Sequence, residues 1–408
     1  MKAVIFTLGC KVNEVESASI MAALEELGFE VSAELSFADL YVLNTCAVTR
    51  EAEKKSRQLI ARVKKYNPDA KIFVCGCASE KDENQFIEKG VTFVCGARKK
   101  EQIISAVRES YLIEGECEND LPFPKQVKTR AFIKISDGCN NFCSYCIIPY
   151  LRGRVTSRSI EDIMGEIEKI SCPEIVLTGI NISAYNYEGK TLCDLIEALS
   201  NVDKRIRLGS IECRVITPEF LMACRGLKDF APQFHLSLQS GSNKILQKMN
   251  RKYTREEYLS KCKLIYDYFP QAAITTDIIV GFCGEEEEDF NQSLSIINEA
   301  RFARVHAFAF SPREGTAAFK MKDVHPEVKA QRLHALIVEA KSAEERYITA
   351  ASGGDVLSFI AEEYDGEYTT GYTQNYIKVY VPMKIAEGSK CDVVIIKLYK
   401  DGAIAEIF

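Results

Sequence analysis

Only four histidines occur in 408 residues, and none stands with a carboxylate and a nucleophile as a hydrolytic triad requires. His235 and His306 fall in strand-like runs, where a histidine is usually a satisfied core group, and His325 precedes Pro326 at a helix start. No apolar stretch is long enough for a membrane span or a signal peptide; the chain opens on the short run Ala3 to Phe6, interrupted by Gly9 and Cys10. A cytoplasmic chain with no membrane partner is the expectation. Basic residues are not in excess either. The net charge of -6 argues weakly against a nucleic-acid partner, although the distribution of charge matters more than its sum. The acidic run Glu285 to Asp289 reads as a dipole-favoured first turn of a helix, not as a calcium loop.

Cysteine, by contrast, is abundant: there are 16. In a reducing compartment that number points to metal or redox chemistry, because disulfides do not persist there. Cys172, Cys193, Cys224 and Cys262 lie in or beside helical patterns and read as packing residues. Cys139, Cys143 and Cys146 form a Cys-x3-Cys-x2-Cys loop directly after the strand-like run Ala131 to Ile135, with no fourth cysteine or histidine close by. A structural zinc site wants four protein ligands. Three thiolates suit a 4Fe-4S cluster with one iron left open to a small molecule.

Before that loop, strand-like runs at Ala3 to Phe6, Leu40 to Leu43, Ile72 to Cys75 and Thr92 to Val94 alternate with helical patterns at Glu14 to Leu27, Glu51 to Tyr66 and Lys100 to Tyr111. The alternation predicts a doubly wound parallel sheet over residues 1–115. Cys10, Cys46 and Cys77 follow three of these strands at nearly the same offset, so they should converge at the sheet's carboxyl edge, where ligands bind. Cys75 belongs to its strand and should point into a packed face, while Cys95 follows another strand and remains a rival by geometry. Arg50, Lys54, Lys55, Arg57, Arg62, Lys64, Lys65 and Lys71 make the following segment basic, a solvated helix face or a phosphate contact. Glu114 to Gln126, with Pro122 and Pro124, reads as a linker.

Six further strand candidates lie in residues 128–345: Ala131 to Ser136, Glu174 to Thr178, Ile206 to Gly209, Gln233 to Leu238, Ile274 to Val280 and Arg304 to Phe310. Helical segments separate them, opened by the capping signals Ser159 to Asp162, Thr217-Pro218 and Thr254 to Glu257. This is the pattern of a partial (β/α)6 barrel, with function at the strands' carboxyl ends. Thr178, Gly179, Asn181, Ser210, Glu212, Gln239 to Ser242, Gly281 and Gly284 fall at that edge. Each alone is what a turn requires. Residues 350–408 predict a small antiparallel β-barrel from Val356 to Ile360, Tyr376 to Val381 and Val393 to Leu398. Its Tyr372, Tyr376, Tyr380 and Tyr399 with Lys378, Lys397 and Lys400 offer stacking and phosphate contacts, against a composition of five lysines, no arginine and nine acidic residues.

Taken together, Leu8-Gly-Cys-Lys-Val-Asn13, Asn44-Thr-Cys-Ala-Val-Thr49, Gly76-Cys77, Gly138-Cys-Asn-Asn-Phe-Cys143, Ile147-Ile-Pro149, Arg152-Gly-Arg154, Leu238-Gln-Ser-Gly-Ser242 and Val280-Gly-Phe282 resemble the radical S-adenosylmethionine (SAM) methylthiotransferases over nearly the whole chain. Lys11-Val-Asn13, Lys55-Ser-Arg57 and Asp137-Gly138 are most similar to the branch acting on N6-threonylcarbamoyladenosine in tRNA. Cys213 and Cys283 stand where the family usually has proline. The resemblance implies an N-terminal methylthiotransferase domain, a radical-SAM barrel and a C-terminal TRAM domain, and favours Cys77 over Cys75. It further implies SAM and two 4Fe-4S clusters, one on Cys139, Cys143 and Cys146, where SAM yields a 5′-deoxyadenosyl radical, and an auxiliary one on Cys10, Cys46 and Cys77. Gly179, Asn181 and Gln239 are the candidate SAM contacts, and Arg152, Arg154 and Arg158 join the basic helix as candidate RNA contacts. tRNA and a flavodoxin- or ferredoxin-type electron donor are the implied partners. The rival readings are a methylthiotransferase of isopentenyladenosine or of a ribosomal protein, and, in another class, a non-catalytic iron-sulfur carrier or RNA-binding sensor.

Overall fold

The computed structural model describes residues 1–114, 121–124 and 129–408, so most of the expected linker lies outside the described residues. Strands β1 (Lys2–Thr7), β2 (Glu30–Ser32), β3 (Leu40–Thr45), β4 (Lys71–Gly76) and β5 (Phe93–Val94) form one parallel sheet in the order β2-β1-β3-β4-β5. Helices α1 (Lys11–Glu26), α2 (Arg50–Tyr66), α3 (Cys77–Lys81), α4 (Asn84–Ile87) and α5 (Gln102–Tyr111) wind around it. Period-2 side-chain alternation gives the sheet two cores. Val4, Tyr41, Leu43 and Val74 pack on α2, while Ile5, Val42 and Phe73 pack with Ile20, Leu24 and Ile103 from α1 and α5. The edge strand β2 is too short and polar to announce itself in the sequence.

The second body follows the six expected strands. β6 (Arg130–Asp137) pairs in parallel with β8 (Glu174–Gly179), and β8 with β11 (Arg205–Leu208); the short β7 (Thr156–Ser157) closes the outer edge antiparallel to β6. The third strand breaks at Gly209. Its second half, β12 (Ser210–Ile211), pairs onward with β13 (Gln233–Leu236), followed by β14 (Ala273–Val280) and β15 (Arg304–Ala309), all parallel. A side hairpin, β9 (Asn186–Tyr187) and β10 (Lys190–Thr191), stands apart. Helices α6 (Ile148–Arg152), α7 (Ile160–Glu168), α8 (Leu192–Ala198), α9 (Pro218–Arg225), α10 (Asn243–Lys248), α11 (Arg255–Tyr268), α12 (Glu287–Glu299) and α13 (Pro326–Ala351) complete the partial barrel.

Its helices begin where the capping signals lie. Ser159 accepts from Asp162 N, Thr217 from Phe220 N, and Thr254 with Glu257 closes a capping box. Glu285 departs from the expected first turn: it precedes α12, and its buried carboxylate accepts the Gly281 and Phe282 amides.

Strands β16 (Val356–Tyr364), β17 (Thr369–Thr373), β18 (Lys378–Val381), β19 (Lys390–Tyr399) and β20 (Gly402–Ile407) close into a five-stranded barrel in the order β16-β17-β18-β20-β19, with one parallel pairing between β18 and β20. It caps the amino ends of the central strands. Glu174 at the start of β8 takes Arg207 at 3.0 Å through both Nε and Nη2 and also pairs with Arg130, whose Nη2 reaches Glu362 at 3.0 Å. Arg205 Nη2 donates to Ser358 Oγ at 2.7 Å. Tyr372 and Tyr376 stack at 4.7 Å beneath the Arg130 guanidinium. That corrects their expected role as RNA-stacking groups, because the interface already occupies both rings. Tyr368, Tyr380 and Tyr399 cluster elsewhere, with Lys400 over the rings of Tyr380 and Tyr399.

Candidate active site

The order β2-β1-β3 reverses the direction of strand progression between β1 and β3, and in such sheets the crevice beyond the carboxyl ends at that point is where ligands bind. Cys10 follows β1, Cys46 follows β3 and Cys77 opens α3 after β4. The three thiols interact electrostatically with one another. They are close enough that a Cβ at Gly9, whose φ is +111°, would lie 2.9 Å from Cys46 Sγ. Burial pushes the Cys46 and Cys77 thiols up, so they stay protonated until a metal displaces the proton. Cys75 and Cys95 pack with Phe73 and Ile103 in the core on the other face, and burial pushes Cys75 up to about 12.

The second trio occupies the loop after β6. Cys139, Cys143 and Cys146 feel one another's charge, and burial pushes Cys146 up to about 12. The loop can turn because Gly138, at φ +73°, lies against the chain: a Cβ there would sit 2.1 Å from the Arg154 carbonyl oxygen. The turn between α10 and α11 holds the loop from across the barrel. Ser144 Oγ donates to the Lys248 carbonyl at 2.7 Å, and Asn250 Nδ2 to that of Phe142 at 3.0 Å. Arg251 Nη1 donates to Cys143 Sγ at 3.3 Å and its Nη2 to the Ser237 carbonyl at 3.0 Å.

Asn181 Nδ2 lies 3.7 Å from Cys139 Sγ and 3.0 Å from Glu212 Oε1, and a cleft lined by Asn141, Asn181, Ser183, Glu212 and Arg214 opens beside them. Gly179 packs directly on Ser136 and is not among the residues lining this cleft. Gln239 is not among the residues lining this cleft; it is buried after β13, where its left-handed backbone bonds to Asp277 and Ile279.

Between the trios lies Arg152, whose side chain is 0% exposed. Its Nε donates to Cys77 Sγ at 3.4 Å and its Nη2 to Asn13 Oδ1 at 2.7 Å, while Nη1 meets Glu16 Oε1 at 3.0 Å and Asp137 at 3.0 and 3.1 Å. Glu16 also binds Lys100 and Lys134. Burial pushes its carboxyl up, but the three cations outweigh that and hold it well below the usual carboxylate range. Arg152 therefore cannot be the RNA contact that the sequence suggests. Arg154 lies 4.6 Å over the Phe142 ring, and Arg158 is tied to Glu166. Arg251 and Glu212 are the functional neighbours that motif reading missed or left among turn residues; nothing local to either links it to a cysteine over 70 positions away.

Residues 133–297 match the radical SAM superfamily and residues 2–96 an uncharacterized protein family, UPF0004. A threonylcarbamoyladenosine tRNA methylthiotransferase, MtaB, of Bacillus subtilis (strain 168) is 36% identical over 97% of this chain and 93% of its own. The chain belongs to the radical SAM methylthiotransferases. This methylthiotransferase is also 35% identical, over 94% of both chains, to a tRNA-2-methylthio-N(6)-dimethylallyladenosine synthase of Thermodesulfovibrio yellowstonii. In fold it is similar to TsrM, a radical SAM methyltransferase from Kitasatospora setae solved with tryptophan and a SAM analog, at a TM-score of 0.59 and 12% identity over 84% of this chain and 89% of that one.

Among the described residues no helix is long and apolar enough to cross a membrane. A recess beside the Cys46 loop gathers Arg50, Lys54, Arg57, Lys81 and Arg313 against Glu53 and Glu314.

Proposed function

We propose that this enzyme installs a methylthio group on C2 of N6-threonylcarbamoyladenosine beside the tRNA anticodon, with Cys139, Cys143 and Cys146 holding one 4Fe-4S cluster and Cys10, Cys46 and Cys77 a second. The observation that carries the reading is Arg152, a single buried guanidinium that touches Cys77 on one side and Asp137, two residues before Cys139, on the other. Two cofactors so linked can face one substrate atom. Bound there, SAM with the first cluster supplies one-electron activation of a carbon-hydrogen bond, and the second cluster supplies sulfur.

The chain's own groups bind, orient and exclude water. Gly179, Asn181 and Gln239 are assigned to SAM, with Asn181 holding the Glu212 carboxylate where it can accept from an amino or ribose hydroxyl group. Arg251 and Arg152 each donate to one sulfur of a trio, Cys143 and Cys77, and so orient it toward the metal it would bind. Arg50, Lys54 and Arg57, exposed or half-buried on α2, are placed for phosphate contacts. We divide the chain into a methylthiotransferase domain at 1–115, a radical-SAM domain at 128–345 and a TRAM-like domain at 350–408, a reading supported by the N-terminal parallel sheet, the central strand-helix repeat and the closed C-terminal barrel. A flavodoxin- or ferredoxin-type donor and a cytoplasmic site of action accord with an iron-sulfur enzyme acting on tRNA.

Mass spectrometry of tRNA nucleosides from a deletion strain tests the substrate: loss of 2-methylthio-threonylcarbamoyladenosine with accumulation of its precursor is expected. An unchanged level in a strain with no second such enzyme would reject it, and loss of the methylthio-isopentenyl nucleoside instead would assign the enzyme to the other branch.

A further inference from the structure

The inner wall of the barrel carries a polar group that the cofactor sites do not use. Phe234, Leu236, Ile274, Ile278 and Val305 face the outer core, so the alternating residues His235, Thr275, Asp277, Arg304 and His306 line the inside. His235 Nε2 lies 3.2 Å from Asp277 Oδ2, Asp277 is the register partner of His306, and the two imidazole rings are 5.8 Å apart. A polar relay fixes His235: Gln233 Nε2 donates to Thr275 Oγ1 at 2.9 Å, and that hydroxyl lies 3.0 Å from His235 Nδ1. His306 is exposed, and among the described residues its ring makes no hydrogen bond.

This wall lies directly under the cysteine loop. Ser237 is the next inward residue above His235, and its carbonyl accepts from the arginine that touches Cys143. One such step along a strand is about 7 Å. A substrate base held against the loop would therefore extend its substituent along this wall.

We propose that His306, Asp277 and Arg304 form the subsite for the substituent on N6 of the adenosine and select one that carries N–H, hydroxyl and carboxylate groups. Asp277 accepts from N–H or hydroxyl. The His306 imidazole, when neutral, offers one donor and one acceptor. Arg304, one inward step deeper, meets Glu344 at 3.6 Å through Nε, which leaves its Nη donors for the carboxylate. An isoprenoid substituent would strip water from these groups and return no hydrogen bond, which penalises it. The inference rests on the proposed reading of a modified tRNA adenosine as substrate.

The test compares the reconstituted full-length enzyme with H306L and H306N on two anticodon stem-loops, one carrying threonylcarbamoyladenosine and one isopentenyladenosine. The readout is the ratio of kcat/KM values, which cancels differences in folding and cluster content. Wild type should favour the first RNA, leucine should reduce the ratio by about ten- to hundredfold, and asparagine should restore part of it. A wild type that prefers the first RNA with a ratio unmoved by leucine overturns the subsite and leaves the substrate reading intact. A wild type inactive on the first RNA overturns both. Stoichiometric zinc in wild type that is absent from H306L overturns the subsite in favour of a metal site.

Discussion

Replacing Arg152 by leucine would remove one of three cations around Glu16 and the guanidinium facing Asp137. Breaking a buried pair costs more than the pair contributes, so R152L should lose about 3 kcal/mol in urea unfolding, the low end of the range because Lys100 and Lys134 remain. Glu174 gives a pH prediction. Burial pushes its carboxyl up, but the Arg207 and Arg130 guanidiniums outweigh that and hold it at about 2, against about 4.3 in an unfolded chain. A depressed folded value stabilises above the unfolded one and loses that contribution as pH falls towards the folded one. Thermal midpoints should therefore drop between about pH 4.5 and pH 2, and E174Q should flatten that drop while lowering stability at neutral pH.

At the scale of elements, the two cysteine trios are products of strand ends. Three parallel strands deliver Cys10, Cys46 and Cys77 to one crevice, and a single strand delivers the whole second loop. Alanine at Cys139, Cys143 or Cys146 should abolish reductive SAM cleavage and remove about four irons per chain. Alanine at Cys10, Cys46 or Cys77 should remove a similar quantity of iron, spare SAM cleavage and abolish sulfur insertion, as followed by iron assay and product mass spectrometry. The reverse pattern would exchange the two assignments. C75A is the control, because its thiol lies in the opposite core with Phe73, and its iron content should match wild type.

Across the whole molecule, the C-terminal barrel closes the amino ends of the central strands while both cysteine groups lie at the carboxyl ends. The Tyr399 and Lys400 surface and the basic recess at Arg50, Lys54 and Arg57 thus lie beyond opposite ends of the central strands, which by themselves span roughly 20 Å. An extended, rigid polyanion can span that distance, whereas a single small substrate cannot. The net charge of -6 is compatible with such a partner because the cations are gathered rather than numerous. Glutamine at Arg50 and Lys54 together should weaken tRNA binding and reduce the log-log salt slope by about two, as measured by filter binding across a salt series.

What the sequence determined by itself is what neighbours in the chain decide. The Cys-x3-Cys-x2-Cys spacing, the caps at Ser159, Thr217 and Thr254, and the strand periods all depend on residues within a few positions, and each was legible. β2, β17 and β20 were not, being short or weakly patterned and formed only because a neighbouring strand offers its edge. Packing alone decided that Arg152 is buried between the trios instead of meeting RNA, that Tyr372 and Tyr376 serve an interface, and that His235 and His306 face the barrel's inside instead of its core. Each of those outcomes depends on a partner contributed by a distant element. Arg152 meets Glu16 across 136 positions, and no local pattern encodes a contact that exists only after two sheets have docked.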